Sequence, residues 1–200
     1  MCEVVASAAD LELAGRFAPG HGYDDPHALA SSDVIVEFAS ARGVMGNVAI
    51  WRRLGASLVI GSSGFDEAAL ASLRSVWGDD PPGCLVAPNF SIGGVLMMWV
   101  AEKLAPYFTA AEVIELHHDR KADAPSGTAL ATASRMRPGG RRSIESEELR
   151  PGARGTEVGG VWVHSIRLPG LLAHQEVLLG NPGEVLSIRH DTSDRTAFVP

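Results

Sequence analysis

The sequence predicts an α/β protein, in which a partial Rossmann-like, doubly wound parallel sheet is followed by an α+β domain with a mixed sheet. Three observations carry this. Short apolar runs recur in the first half at Val34-Ile35-Val36, Leu58-Val59-Ile60 and Leu85-Val86-Ala87, continuous rather than alternating, as suits strands covered on both faces. Helix-like stretches at about 42–53 and 66–77 separate them, with Asp66 placed to cap the second. The second half instead offers strand candidates in succession with few helices between them.

Taken in order, residues 1–9 read as the later part of a helix, although a doubly wound sheet should open on a strand. The three apolar runs and their two helices follow. A helix is expected near 92–104, then a strand at 112–118 and a helix over 126–136. The Arg-, Gly- and Pro-rich stretch 135–154 reads as a mobile loop. Three further strands are expected at 162–167, 175–179 and 185–190. The change of pattern divides the chain into two domains, residues 1–90 and 91–200.

A chain of 200 residues with 46% hydrophobic and 20% charged side chains can bury a real core. Its 24 acidic residues against 17 Lys and Arg leave a formal charge of -7, which argues against a nucleic-acid partner. Any anionic ligand must therefore be met by local positive charge. Cys2 and Cys84 lie outside any CxxC pattern and read as free, buried thiols of a reducing compartment. No apolar run approaches the ~20 residues that span a bilayer. The start, Met1-Cys2-Glu3-Val4-Val5, lacks the basic flank of a signal peptide. The expected location is the cytoplasm, with no membrane partner.

A dense cluster of cationic side chains stands immediately before a helix start. His117, His118, Arg120 and Lys121 fall within five positions, just before Pro125-Ser126-Gly127-Thr128. That tetrapeptide reads as a helix start, with Ser126 as cap and glycine allowing close approach to the backbone. Free N–H groups and the positive end of the helix dipole favour a bound carboxylate, and the histidines and lysine offer groups for proton transfer. A zinc site is the weaker reading, because adjacent strand residues point to opposite faces and no HExxH or cysteine cluster accompanies them. No metal is expected. An isolated Arg-Lys pair would by default be solvated surface charge; the neighbouring histidines and the helix start outweigh that default here.

The run His117-His118-x-x-Lys121-x-Asp123-Ala124-Pro125-Ser126-Gly127-Thr128-Ala129 resembles the signature of dihydrodipicolinate reductases. Gly61-Ser62-Ser63-Gly64 is similar to that family's Gly-Thr-Thr-Gly loop, and Ala87-Pro88-Asn89-Phe90-Ser91 to the segment that meets the nicotinamide. Residues 171–179 and 188–200 resemble its last two strands and the exit from its second domain. The resemblance implies that residues 1–90 bind a dinucleotide and 91–200 bind substrate and carry the chemistry. It implies His117 and Lys121 as catalytic proton carriers, and His118, Gly127 and Thr128 as ligands of the substrate carboxylates. Gly61, Ser62, Ser63, Ala87, Pro88, Asn89 and Phe90 are implied as cofactor contacts. The implied reaction is NADPH- or NADH-dependent reduction of 4-hydroxy-tetrahydrodipicolinate to tetrahydrodipicolinate, in lysine and diaminopimelate biosynthesis. A homo-oligomer, by resemblance a tetramer built on strands 162–190, is the implied assembly.

The sequence departs from that pattern in three ways. The family's opening strand and Gly-x-x-Gly-x-x-Gly loop, which cradles the pyrophosphate, have no counterpart, and Met1 aligns inside the following helix. Ala18 stands where an acidic residue would hold the ribose, with Arg16 nearby. The family also continues past the 198–200 region. These departures give the expectation of a chain truncated at both ends, with weak cofactor binding and impaired turnover. The alternative is a catalytically silent dicarboxylate-binding or oligomerising fragment of the same family.

Overall fold

The computed structural model describes residues 1–199 apart from 63, 64, 66, 88 and 141–146, with residue 41 in backbone only. The chain divides into two compact units, Met1–Pro88 and Asn89–Pro200.

The first unit opens with a short helix α1 (Cys2–Ser7), and its sheet comprises β1 (Val34–Glu37), β2 (Ser57–Ile60) and β3 (Cys84–Val86). All are parallel, in the order β1-β2-β3. The crossovers are α2 (Ala41–Leu54) and α3 (Glu67–Trp77). Ser40 caps α2 by accepting from the Gly43 N–H, and Gly55, at φ 79°, ends it. Val44, Val48 and Trp51, spaced along one helix face, pack with Leu73 and Trp77 of α3 onto Ile35, Leu58 and Ile60. Both helices therefore serve one sheet face, and Val34 and Val36 are exposed on the other. Leu85 of β3 is exposed as well, so the expectation of strands covered on both faces is corrected for β1 and β3. Asp66, the expected cap of α3, lies outside the described residues.

The second unit contains α4 (Ile92–Leu104), β4 (Ala110–His117), α5 (Gly127–Arg135), β5 (Thr156–Val158), β6 (Val161–Arg167), β7 (Ala173–Asn181) and β8 (Glu184–Thr192). The sheet order is β5-β6-β4-β7-β8. Only the β4–β6 pair is parallel; the other three are antiparallel. Along β4 the residues Ala111, Val113 and Glu115 are buried and their neighbours half-buried, the period-2 pattern of a strand with one packed face. Met97, Met98 and Ala101 of α4 and Ala129 and Ala133 of α5, with Met136, cover that face over Val113, Val163, Val177 and Leu179.

The sequence pattern missed β5. Its three residues are too few to show a period, and a glycine-rich turn precedes them. Gly155 in that turn has φ 75°, and a Cβ there would overlap the Val163 carbonyl oxygen of β6. Gly155→Ala is therefore expected to destabilise the protein by about 1–3 kcal/mol, measured as a lowered unfolding midpoint. An unchanged midpoint would show that the turn relaxes freely.

Both cysteines are free; Cys84 is half-buried but Cys2 is exposed, against the expectation of two buried thiols, because α1 buries none of its residues. Burial pushes the Cys84 thiol up. Among the described residues no helix is long and apolar enough to cross a membrane.

Candidate active site

The cationic motif occupies the end of β4, the turn after it and the first turn of α5. Glu115, on the packed face of β4, is fully buried. Its carboxylate gathers donors from three elements. His117 Nδ1, two residues along the strand, meets Oε2 in a short contact. Arg167, paired with His117 in the β4–β6 register, donates NH1 to Oε2 at 2.9 Å and NH2 to Oε1 at 2.8 Å. The Ser126 N–H donates to Oε1 at 3.2 Å. Burial alone would raise the Glu115 carboxyl. Hydrogen bonds from His117, Arg167 and Ser165, together with the His117 charge, outweigh it and hold the group at about 2.

Ser126 caps α5 as expected, its Oγ accepting from the Ala129 N–H at 3.2 Å. The N–H groups of Gly127 and Thr128, orphaned at the helix start, have no acceptor among the described residues. The turn between β4 and α5 is closed by the Lys121 N–H on the His118 carbonyl at 3.2 Å. Lys121 Nζ donates to both Asp123 oxygens, at 2.7 and 2.9 Å, with its side chain 19% exposed. Burial works to raise the Asp123 carboxyl, but the Lys121 hydrogen bond and charge keep it below its ordinary value. Arg167 NH2 also donates to the Asp123 carbonyl. Contacts thus run from His117 through Glu115 to the α5 start, and through Arg167 to Asp123 and Lys121. Among the described residues, His118 Nδ1 is buried without a hydrogen-bond partner, an unmet polar atom of the kind a ligand satisfies.

In the first unit, Gly61 and Ser62 follow β2 and Ala87 follows β3. The Gly61 N–H donates to the Glu37 carbonyl and the Ala87 N–H to the Ile60 carbonyl, both at 2.9 Å. They stand at the carboxyl edge of a parallel sheet, where such sheets form nucleotide sites. A Cβ at Gly61 would run into the Phe38 ring. Ser62 donates to the Ala39 carbonyl. Ser63 and Pro88 lie outside the described residues. Ala18 bridges Tyr23, and the Arg16 guanidinium lies 5.9 Å from the Tyr23 ring centre.

Asn89 and Phe90 fall in the second unit. Asn89 Oδ1 accepts from the Ser91 N–H at 2.8 Å. Ser91 Oγ caps α4 through the Gly94 N–H and lies 3.2 Å from His190 Nε2. The His190 ring occupies the space that a Cβ at Gly93 would need.

Family models of the dihydrodipicolinate reductase N-terminus and C-terminus match residues 3–90 and 93–200. The chain belongs to the dihydrodipicolinate reductase family. A 4-hydroxy-tetrahydrodipicolinate reductase of Nocardia farcinica is 47% identical over 100% of this chain and 83% of its own length. That of Cutibacterium acnes is 44% identical over 100% of this chain and 82% of its own. Among solved structures, a dipicolinate-bound dihydrodipicolinate reductase from Paenisporosarcina sp. TG-14 superimposes with a TM-score of 0.74. It is 33% identical, over 98% of this chain and 83% of that one.

Within this dihydrodipicolinate reductase fold, the structure adds three polar residues that sequence reasoning had not singled out. Glu115 lies within the strand expected at 112–118, and a carboxylate among apolar strand residues was the available signal. Asp123 was part of the motif. Arg167 carried no local signal, since its partner lies 52 positions away.

Proposed function

We propose that this chain reduces 4-hydroxy-tetrahydrodipicolinate to tetrahydrodipicolinate with NADPH or NADH, a step of lysine and diaminopimelate biosynthesis. The cofactor of this family is a pyridine nucleotide. The observation that carries the reading is the continuous network joining His117, Lys121 and the start of α5 through Glu115 and Arg167. Product differs from substrate by hydrogen in place of a hydroxyl, so one hydride and one proton enter and one water leaves.

Roles follow from donor chemistry. Lys121 and His117 are the proton carriers, because both hold exchangeable protons at the mouth of the motif. His118, with its unmet ring nitrogen, and the free N–H groups of Gly127 and Thr128 bind the substrate carboxylates. When bound, the nicotinamide supplies the hydride. Gly61, Ser62, Ser63, Ala87, Pro88, Asn89 and Phe90 are assigned to holding it. The carboxyl-edge positions of Gly61, Ser62 and Ala87 fit a dinucleotide, which supports reading residues 1–90 as the cofactor domain and 91–200 as the substrate domain.

A homo-oligomer is part of the same reading. Trp162, Ile166 and Val185 lie on the sheet face opposite α4 and α5, with Ile166 40% and Val185 70% exposed. Sedimentation of the protein at micromolar concentration is expected to give a species larger than a monomer, and a clean monomer would remove this part.

The functional test is oxidation of NADPH or NADH by the purified chain in the presence of 4-hydroxy-tetrahydrodipicolinate, with titration of each cofactor alone. Substrate-dependent oxidation is the expected result; cofactor binding without turnover would defeat the proposal. His118→Gln is expected to raise KM for the dicarboxylate about 10- to 100-fold with a smaller effect on kcat, as for one lost hydrogen bond to a charged group. An unchanged KM would take His118 out of the substrate site.

A further inference from the structure

We infer that Glu115 and Arg167 are a positioning pair that fixes which ring nitrogen of His117 carries the proton. The inference rests on His117 being a proton carrier, and it concerns two residues that touch neither substrate nor cofactor in that reading.

An ionised carboxylate only accepts hydrogen bonds. His117 Nδ1, in contact with Glu115 Oε2, must therefore be the protonated nitrogen, and Nε2 is left as the atom presented for proton transfer. The carboxylate is not free to turn away. Its oxygens are held by His117 Nδ1 and Arg167 NH1 on Oε2, by Arg167 NH2 and the Ser126 N–H on Oε1, and by a further side-chain hydrogen bond from Ser165. Arg167 is anchored in turn by the Asp123 carbonyl, the residue whose side chain holds Lys121.

Among the described residues, His117 and Arg167 are the charged side chains that hydrogen-bond Glu115. On β6 the register partners of Glu115 and His117 are Ser165 and Arg167; on β7 they are Gln175 and Ala173. Gln175 is already engaged, donating to Thr132 Oγ1 at 2.9 Å. From the α5 start, Ser126 contributes only its neutral N–H. The turn after β4 carries His118, Asp119, Arg120, Lys121 and Asp123, of which Lys121 and Asp123 pair with each other. Glu115, held at about 2, is ionised at neutral pH, so the acceptor-only condition is met wherever the protein is assayed.

A buried ion pair could instead be purely structural, and the test separates the two. Nitrogen-15 NMR of histidine-labelled full chain, without ligand, is expected to show neutral His117 protonated on Nδ1. In Glu115→Gln it should shift to a mixture of tautomers. In the same variant kcat should fall on the order of 10²-fold with KM within about twofold, less than the ~10⁴-fold loss known when a buried aspartate no longer holds a catalytic histidine. Glu115→Gln leaves Arg167 half-buried without its carboxylate partner, so it will also be less stable. The double variant Glu115→Gln, Arg167→Gln removes both charges; its unfolding midpoint should recover toward the parent while kcat does not. Recovery of kcat together with stability, or an unchanged His117 tautomer in Glu115→Gln, would overturn the inference. If the parent chain lacks reductase activity the proposed function fails, and the NMR comparison still decides the pairing.

Discussion

Lys121→Ala is expected to lower kcat for the proposed reduction by about 10²- to 10³-fold. The side chain is the only lysine ammonium of the β4–α5 turn, and its loss removes proton delivery together with charge placed near the developing anion. An effect of this size, about 2.7–4 kcal/mol in the barrier, is typical of losing one preorganised donor at a reacting centre. Lys121→Arg keeps the charge but not the compact, rotatable ammonium, and should recover substrate binding better than turnover. The measurement is steady-state kinetics on the full chain with cofactor saturating. Stability should move little, because the Lys121–Asp123 pair is half-exposed on the carboxylate side, where such pairs contribute ~0–1 kcal/mol. A variant that keeps kcat within a fewfold would relegate Lys121 to holding the turn.

The second large effect concerns acid. Glu115 has an ordinary value of 4.5 and is held at about 2 in the fold. A carboxyl depressed by folding stabilises the protein fully above its unfolded value, and the contribution disappears as pH falls through the folded one. At about 1.4 kcal/mol per pH unit, this amounts to on the order of 3 kcal/mol, present above pH 4.5 and lost on acidification toward 2. Denaturant unfolding as a function of pH in this window should show stability declining with acid. Asp123 and Asp191 are also held low and add to the slope, so the parent must be compared with Glu115→Gln. That variant should be weaker at neutral pH and show a flatter acid dependence. Equal slopes in the two proteins would assign the acid sensitivity to other carboxyls.

How much of this was legible in the sequence depends on how local the signal was. The β4–α5 motif was readable because its parts are contiguous: a strand, a cationic turn and a serine-capped helix start within 26 residues of chain (110–135). The helix at 92–104 was bounded correctly, since Ser91 supplies a cap and the apolar run ends cleanly. The β strands of the second unit extend beyond their apolar cores because polar ends such as Asn181 and Glu184 still pair across the β7–β8 hairpin. What escaped was long-range. The partnership of Glu115 with Arg167 depends on β4 and β6 being neighbours, which no local pattern encodes, and the exposed side of β1 depends on where two helices dock. In the first unit the candidate positions Gly61, Ser62 and Ala87 were found through resemblance to a loop, while their placement at one sheet edge comes from the parallel pairing of β1, β2 and β3.

The packing of His190 into the space above Gly93 ties two distant positions into one unit of inheritance. Any side chain at 93 would overlap the imidazole and part it from Ser91, whose hydroxyl caps α4. A substitution at 93 therefore requires the imidazole to swing away from Ser91 or position 190 to shrink with it. Across homologous sequences a larger residue at 93 should go with a smaller one at 190, even though the two lie 97 positions apart in the chain.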